Sequence, residues 1–291
     1  MPSTTPLTDA INALTTYANT TTGASDTTLS DAVATLVEGY GGGGSQPTML
    51  DLFNRNISGD ISFTVDNPET ELTTSTDPVV TQCFAGAFKN TDITTLTVNG
   101  LAYLPTAFAY GCTDLTSVSM PDVIYMMGSK SQFQNCTSLV SVSLPSLTTS
   151  YYNWTNGGSS MFEGCTSLTT VNMRKVDRLS NAMFRSCTSL ELLEFDQLTN
   201  IDQLTFRYCT NLTTLILRST SVVVLGSVNS FWDTPFKQGG TGGTIYVPSA
   251  LISEYQSAAQ WSTLHGYGTV TWVAIEGSQY ENYHADGTPV A

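Results

Sequence analysis

An α+β solenoid, a right-handed stack of short coils with a helical hairpin before it and a strand–helix unit closing it, is what this sequence predicts. Three observations carry that expectation. The phrase "FEGCTSLTTVNM" at Phe162–Met173 returns as "FAYGCTDLTSVSM" from Phe108, "FQNCTSLVSVSL" from Phe133, "FRSCTSLELLEF" from Phe184 and "FRYCTNLTTLIL" from Phe206, with a degenerate copy from Phe88. The residues aligned after the cysteine, Ile93, Leu115, Leu139, Leu168, Leu190 and Leu212, are separated by 22, 24, 29, 22 and 22 positions. Each copy then alternates apolar and polar residues, as a strand buried on one face requires.

In chain order, residues 1–40 read as the hairpin. Leu7, Ile11 and Leu14 recur at helical spacing, and Leu29, Val33 and Leu36 repeat the pattern. Thr5 and Pro6 suit an N-cap and first helical position, Asp26 can cap the second helix, and Gly39 falls near its end. Two helices this short are marginal alone, so these six residues are expected to anchor the chain to a partner or to copies of itself. The glycine-rich segment 41–48 is a flexible linker without the Lys-Ser/Thr ending of a phosphate-binding loop. Within 49–82 the alternation of Ile57, Ile61, Phe63 and Val65 predicts short strands that start a larger sheet.

Repeats occupy 83–243. A period of this size signals a solenoid of leucine-rich type, in which one unit cannot bury its apolar face but a stack can. Inward pairs are expected at Val118 and Met120, Val142 and Leu144, Val171 and Met173, Leu193 and Phe195, and Leu215 and Leu217. The phenylalanine before each cysteine forms a second wall. Cys112, Cys136, Cys165, Cys187 and Cys209 share one angle of the coil and form a ladder. Adjacent strands lie about 4.8 Å apart, within disulfide reach, but ladder Cβ vectors run parallel, which favours buried free thiols. Strung along an axis, they do not make a metal cluster. In 244–291, Ile245–Val247 is expected as a strand, a helix as running from Pro248 or Ser249 to about Gln260, "TVTWVAI" as a further strand, and the last dozen residues as mobile.

Composition limits function. The net charge is -14 and all ten basic residues lie between Arg55 and Lys237, so nucleic acid and anionic membrane surfaces are unfavourable partners. No apolar run of about 18 residues spans a bilayer, and no basic-then-apolar leader marks a secretory signal. His265 and His284 stand in no Ser-His-Asp or Cys-His order, no calcium-loop spacing occurs, and no cofactor or metal is expected. The outward strand row is Thr97, Ser119, Ser143, Asn172, Glu194 and Ile216, flanked by Asn99, Pro121, Pro145, Arg174, Asp196 and Arg218. It reads as a solvated sheet face, with Arg174, Glu194, Asp196 and Arg218 as ligand-binding candidates. The longest unit adds Tyr151, Tyr152 and Trp154 beside amides and glycines, a composition that suits sugar rings; the same aromatics could instead pack back on the solenoid or against a sister subunit.

The units "F-x-x-C-T-S-L-x-x-V-x-L-P" resemble BspA-type leucine-rich repeats of bacterial and phage surface proteins, and "TIYVPSALISEYQSAAQW" is similar to the end unit that often follows them. The resemblance implies adhesion and surface recognition rather than catalysis. The hairpin resembles N-terminal modules that precede variable domains in phage structural proteins. Together they imply a virion-surface fibre, spike or decoration protein. Its N-terminal helices would dock on a capsid or tail protein or join copies of the chain, and fibre geometry suggests a trimer. A host glycan or protein would be the ligand. A bacterial cell-surface adhesin and a glycan-acting enzyme are the alternatives.

Overall fold

A computed structural model of the chain describes residues 58–64, 86–101, 103–104, 106–126, 131–148 and 160–290. The hairpin with Leu7, Ile11, Leu14, Leu29, Val33 and Leu36, the linker, and the aromatic insertion with Tyr151, Tyr152 and Trp154 lie outside these residues.

Each coil contributes a strand to a principal row of parallel pairings. The first block is β1 (Ser58–Thr64), β2 (Asp92–Asn99), β4 (Ser117–Ser119), β6 (Ser141–Ser143) and β7 (Thr170–Asn172); the second is β9 (Leu192–Phe195), β11 (Thr214–Leu217), β13 (Gly243–Val247) and β14 (Val270–Ala274). Two-residue strands form a second row: β3 (Tyr103–Leu104) with β5 (Tyr125–Met126), and β8 (Arg178–Leu179), β10 (Asn200–Ile201) and β12 (Val224–Leu225). Every pairing between these strands is parallel, the geometry of a chain that advances one coil per turn.

Alternation sets what is buried. Val118, Met120, Val142, Leu144, Met173, Leu193, Phe195, Leu215 and Leu217 are all buried in the core. Val171 is only half-buried, at the place where the row divides between β7 and β9. The opposite wall is a column of rings. Phe133 stacks on Phe162 at 5.7 Å, Phe162 on Phe184 at 5.5 Å, and Phe184 on Phe206 at 6.1 Å. Threonine hydroxyls tie coils together outside the core, as in Thr116 Oγ1 to Thr94 O at 2.9 Å and Thr199 Oγ1 to Asp177 O at 2.8 Å.

The arch between phenylalanine and cysteine needs a left-handed residue. Asn90, Gly111, Asn135, Gly164, Ser186, Tyr208 and Asp233 occupy that column, with φ from 55° to 78°. Glycine is doubly required at Gly111 and Gly164. A Cβ there would meet the Asn90 Oδ1 at 2.2 Å and the Asn135 Oδ1 at 2.6 Å.

The cysteines follow this column. The five among the described residues, Cys112, Cys136, Cys165, Cys187 and Cys209, are free and buried. Each Sγ donates to a carbonyl of the preceding coil: Cys112 to Phe88, Cys136 to Ala109, Cys165 to Phe133, Cys187 to Phe162 and Cys209 to Phe184, at 2.7 to 3.1 Å. A thiol therefore fills space and satisfies an arch carbonyl at once. Thr91 and Thr234 stand at the two ends of the column and donate to Phe88 O and Phe231 O, each at 2.7 Å. Burial pushes the Cys112 thiol up to about 11 and the Cys209 thiol up to about 12. Since the thiolate is the reactive form, these five positions should remain unmodified by iodoacetamide at pH 8 in the native protein and react once urea unfolds it. Peptide mass spectrometry reads this directly; native labelling at any of the five would mean the ladder opens to solvent.

The last coil is finished by side chains. After β13 come a 3-10 turn (Ser249–Leu251), α1 (Ile252–Ser257), α2 (Trp261–Gly266) and β14. The expected helix ends at Ser257, and an unexpected second one, α2, starts just after Gln260, which adopts φ 65°. The break lets Trp261 donate Nε1–H to Val223 O at 2.6 Å while Tyr255 OH accepts from Val223 N at 3.0 Å. Both backbone groups of Val223, beside the last second-row strand, thus find the partners a further coil would have supplied. Trp261 also packs on Phe231 at 6.0 Å, continuing the ring column into the end unit.

Candidate functional site

The outward side chains of the second block are Glu194 on β9, Ile216 on β11 and Tyr246 on β13, aligned by strand register. A solvated face would leave them open. Instead Glu194 is 6% exposed and Ile216 is fully buried. The cover is the C-terminal segment 276–290, which is folded back over these strands rather than left as a mobile end.

Arg218 is the centre of the attachment. Its Nε donates to Glu194 Oε1 at 2.7 Å, and its Nη2 donates to Tyr280 O at 2.7 Å and Tyr283 O at 3.0 Å. Glu194 also takes His284 Nδ1 on Oε1 and the Ala285 N–H on Oε2, both at 2.8 Å. One turn further, Arg174 Nη1 reaches Asp286 Oδ1 at 3.3 Å and Thr288 Oγ1 at 3.1 Å. Tyr280 sets its ring edge-on to Tyr246 at 4.8 Å. The segment closes on itself through His284 N to Thr288 O at 2.8 Å and the Tyr283–Pro289 bridge.

Electrostatics are shared among neighbours. Burial raises the Asp196 carboxyl above the ordinary carboxylate range and the Glu194 charge adds to it, against the pull of His284, Arg174 and Arg218. Burial also pushes Asp286 upward, but hydrogen bonds from Thr288 and the Arg174 charge outweigh it and hold that carboxyl low. Glu194, Asp196 and His284 offer metal-type ligand atoms within 4.8 Å of one another. The guanidinium of Arg218 lies 2.7 Å from Glu194 and 3.8 Å from Asp196, however. A fixed cation there opposes a second one, and both Glu194 oxygens already accept from donors. At 6% exposure, and with donors on both oxygens, Glu194 is turned to the chain's own end and not to solvent.

Arg174, Glu194, Asp196 and Arg218 are therefore brought together, as partners of the chain's own end. Sequence reading weighs His284 only as a catalytic group and sets neither it nor Asp286, Thr288 and the backbone of Tyr280, Tyr283 and Ala285 against these strands. One signal was available: Ile216 is the lone apolar residue in an otherwise polar outward row, and such a residue asks for cover.

The family description "BspA type Leucine rich repeat region" matches in six copies, over residues 68–155 and 105–235, more than half of the chain. The chain belongs to this family. Among solved structures, a leucine-rich repeat protein from Bacteroides ovatus ATCC 8483, determined at 1.19 Å, is 18% identical over 66% of this chain and 68% of its own, with a TM-score of 0.31. Comparison with curated proteins found no match. The BspA-type copies take in the arches, the thiol ladder and strands β2 to β12, while β1, β13 and β14 lie outside them. The tail-covered patch uses outward residues that vary from copy to copy.

Proposed function

We propose that the chain is a non-enzymatic virion protein of a phage, a head or tail fibre, spike or decoration protein. Its leucine-rich repeat solenoid is displayed for adhesion to the host surface. The observation that carries the binding half is the locking of the outward carboxylates. Glu194 is buried and spends both oxygens on Arg218, His284 and Ala285, so the acidic patch holds structure together instead of attacking a substrate. The display half is supported by the sequence of residues 1–40, whose two runs of helical spacing resemble phage N-terminal modules and precede a glycine-rich segment. Such a module is where a capsid or tail protein, or sister copies in a trimer, would be engaged.

Deleting Met1–Gly44 should leave a folded solenoid with unchanged melting behaviour that no longer co-sediments with the particle. The mass in solution of the full chain against one starting at Gln46 separates the two docking modes. An oligomer that becomes a monomer assigns self-association to the helices, and two monomers assign them to another virion component. Normal incorporation of the truncated chain would overturn the display reading.

A further inference from the structure

The arch wall of the solenoid carries a second surface, remote from the covered sheet face. Backbone bonds from Gly164 N to Arg185 O at 2.9 Å, Ser186 N to Arg207 O at 2.8 Å, and Tyr208 N to Trp232 O at 2.9 Å hold successive arches in register. Gln134, Glu163, Arg185, Arg207 and Trp232 thereby form one outward column, beside the left-handed column that contains Asn135, Ser186 and Tyr208.

Tyr208 is out of place in its column. The other positions hold glycine, asparagine, serine or aspartate, the residue types that accept a left-handed backbone or cost least there. Tyr208 sits at φ 67°, a conformation in which a bulky side chain is strained. Its ring is only half-buried, so core packing does not explain the choice. The ring lies 4.8 Å from the Arg207 guanidinium and 5.7 Å from that of Arg185, and its hydroxyl takes Arg207 Nη2 at 2.8 Å. One coil on, Trp232 is 54% exposed. Strain kept for an aromatic ring that orients two guanidiniums beside an exposed indole points to recognition.

The polar groups around the rings narrow the ligand. Arg185 pairs with Glu163 at 3.3 Å, Gln134 donates to Glu163 at 3.1 Å, and Lys237 pairs with Asp233. These charges neutralise each other on a chain of net charge -14. The surface is thus rich in planar hydrogen-bonding groups but holds little net charge for a polyanion. The open Trp232 ring suits a flat apolar face, and the coil-by-coil repetition of polar groups beside it suits a periodic polymer.

We propose that this arch wall binds a neutral polysaccharide, with Trp232 as the stacking platform, Tyr208 holding the Arg185 and Arg207 guanidiniums beside it, and Gln134, Glu163 and Arg185 as partners for ring hydroxyls. The proposal deepens the adhesion reading by naming the ligand class, and rests on it. Its test is made on the free full-length chain, so failure here and failure of particle incorporation are read separately.

Affinity electrophoresis through gels containing dextran, mannan, galactan or laminarin supplies the probe. Retardation by at least one is expected. Trp232→Ala should weaken it about tenfold, the equivalent of losing one stacking contact. Tyr208→Asn should abolish it while leaving the melting temperature within about 2 °C of the parent, because relief of backbone strain offsets the lost cation–π contact. A clear fall in melting temperature for Tyr208→Asn would make the ring a structural element and overturn the proposal. So would unchanged binding by either variant, or retardation by polyglutamate gels alone, which would assign the surface to acidic partners.

Discussion

Phe184→Ala should cost about 4 kcal/mol of stability, in the range for emptying a buried aromatic site. Phe184 is the middle ring of the column, fully buried, with stacked neighbours at 5.5 Å and 6.1 Å. Its carbonyl also takes the Cys209 thiol at 3.0 Å, so collapse around the void disturbs the adjacent arch. The close-packed core cannot relax by sliding, because each coil is fixed to the next by strand pairing and arch hydrogen bonds. Phe184→Leu should cost much less, since most of the volume remains. Urea unfolding reads both. In a stack whose stability is a sum of coil and interface contributions, weakening one central interface can divide the transition in two. A broadened or biphasic curve with reduced slope for Phe184→Ala is expected; a loss below about 1 kcal/mol would show that the column is not a continuous core.

The parts of this fold legible in the sequence are those it writes repeatedly. Val118 and Met120 mean little alone, but the same spacing at Val142, Leu193 and Leu215 leaves one consistent inside face. The cysteine ladder is legible for the same reason, since one residue type at one offset must occupy one angle of the coil. What repetition does not encode was missed. The contact of Arg174 with Asp286 joins residues 112 positions apart and occurs once, so no periodic signal announces it. The outward row was read as solvated because polarity predicts exposure, yet charged groups are buried readily when each finds an opposite charge, as Glu194 does in Arg218. The helix break at Gln260 follows from a tertiary demand, the reach of Trp261 to Val223, which overrides local helical pattern. Tyr208 in a left-handed backbone is invisible for the converse reason. Its arch is dictated by the stack, and only the structure reveals that tyrosine fills a position suited to asparagine.

Arg218→Met should release the C-terminal segment and lower stability by about 3 kcal/mol. The Arg218 side chain is 10% exposed and that of Glu194 5%. Removing one partner strands the buried Glu194 carboxylate and unpairs the Tyr280 and Tyr283 carbonyls. Chymotrypsin cleavage at Tyr280 and Tyr283 should accelerate well before global unfolding, because the segment is held by discrete polar contacts and one ring pair. Replacing Glu194 with Leu in the same chain should recover much of the loss, since an apolar pair of similar volume avoids the desolvation cost. No recovery would mean the segment is held mainly by contacts outside this pair. The attachment should also depend on pH in two opposite senses. Asp196 has its carboxyl raised, so the folded state holds that proton more tightly than the unfolded chain, and stability increases as pH falls through the raised value, above the ordinary carboxylate range. Asp286 is held low, so its contribution is present above the ordinary value and is lost as pH falls through the lowered one. Protection of the segment, read by amide hydrogen exchange at each pH after correction for the intrinsic exchange rate, should therefore rise as Asp196 gains its proton and fall as Asp286 gains its own. Asp196→Asn should remove the rise and Arg174→Met should blunt the fall. A profile unchanged by both substitutions would place the titrating groups elsewhere in the molecule.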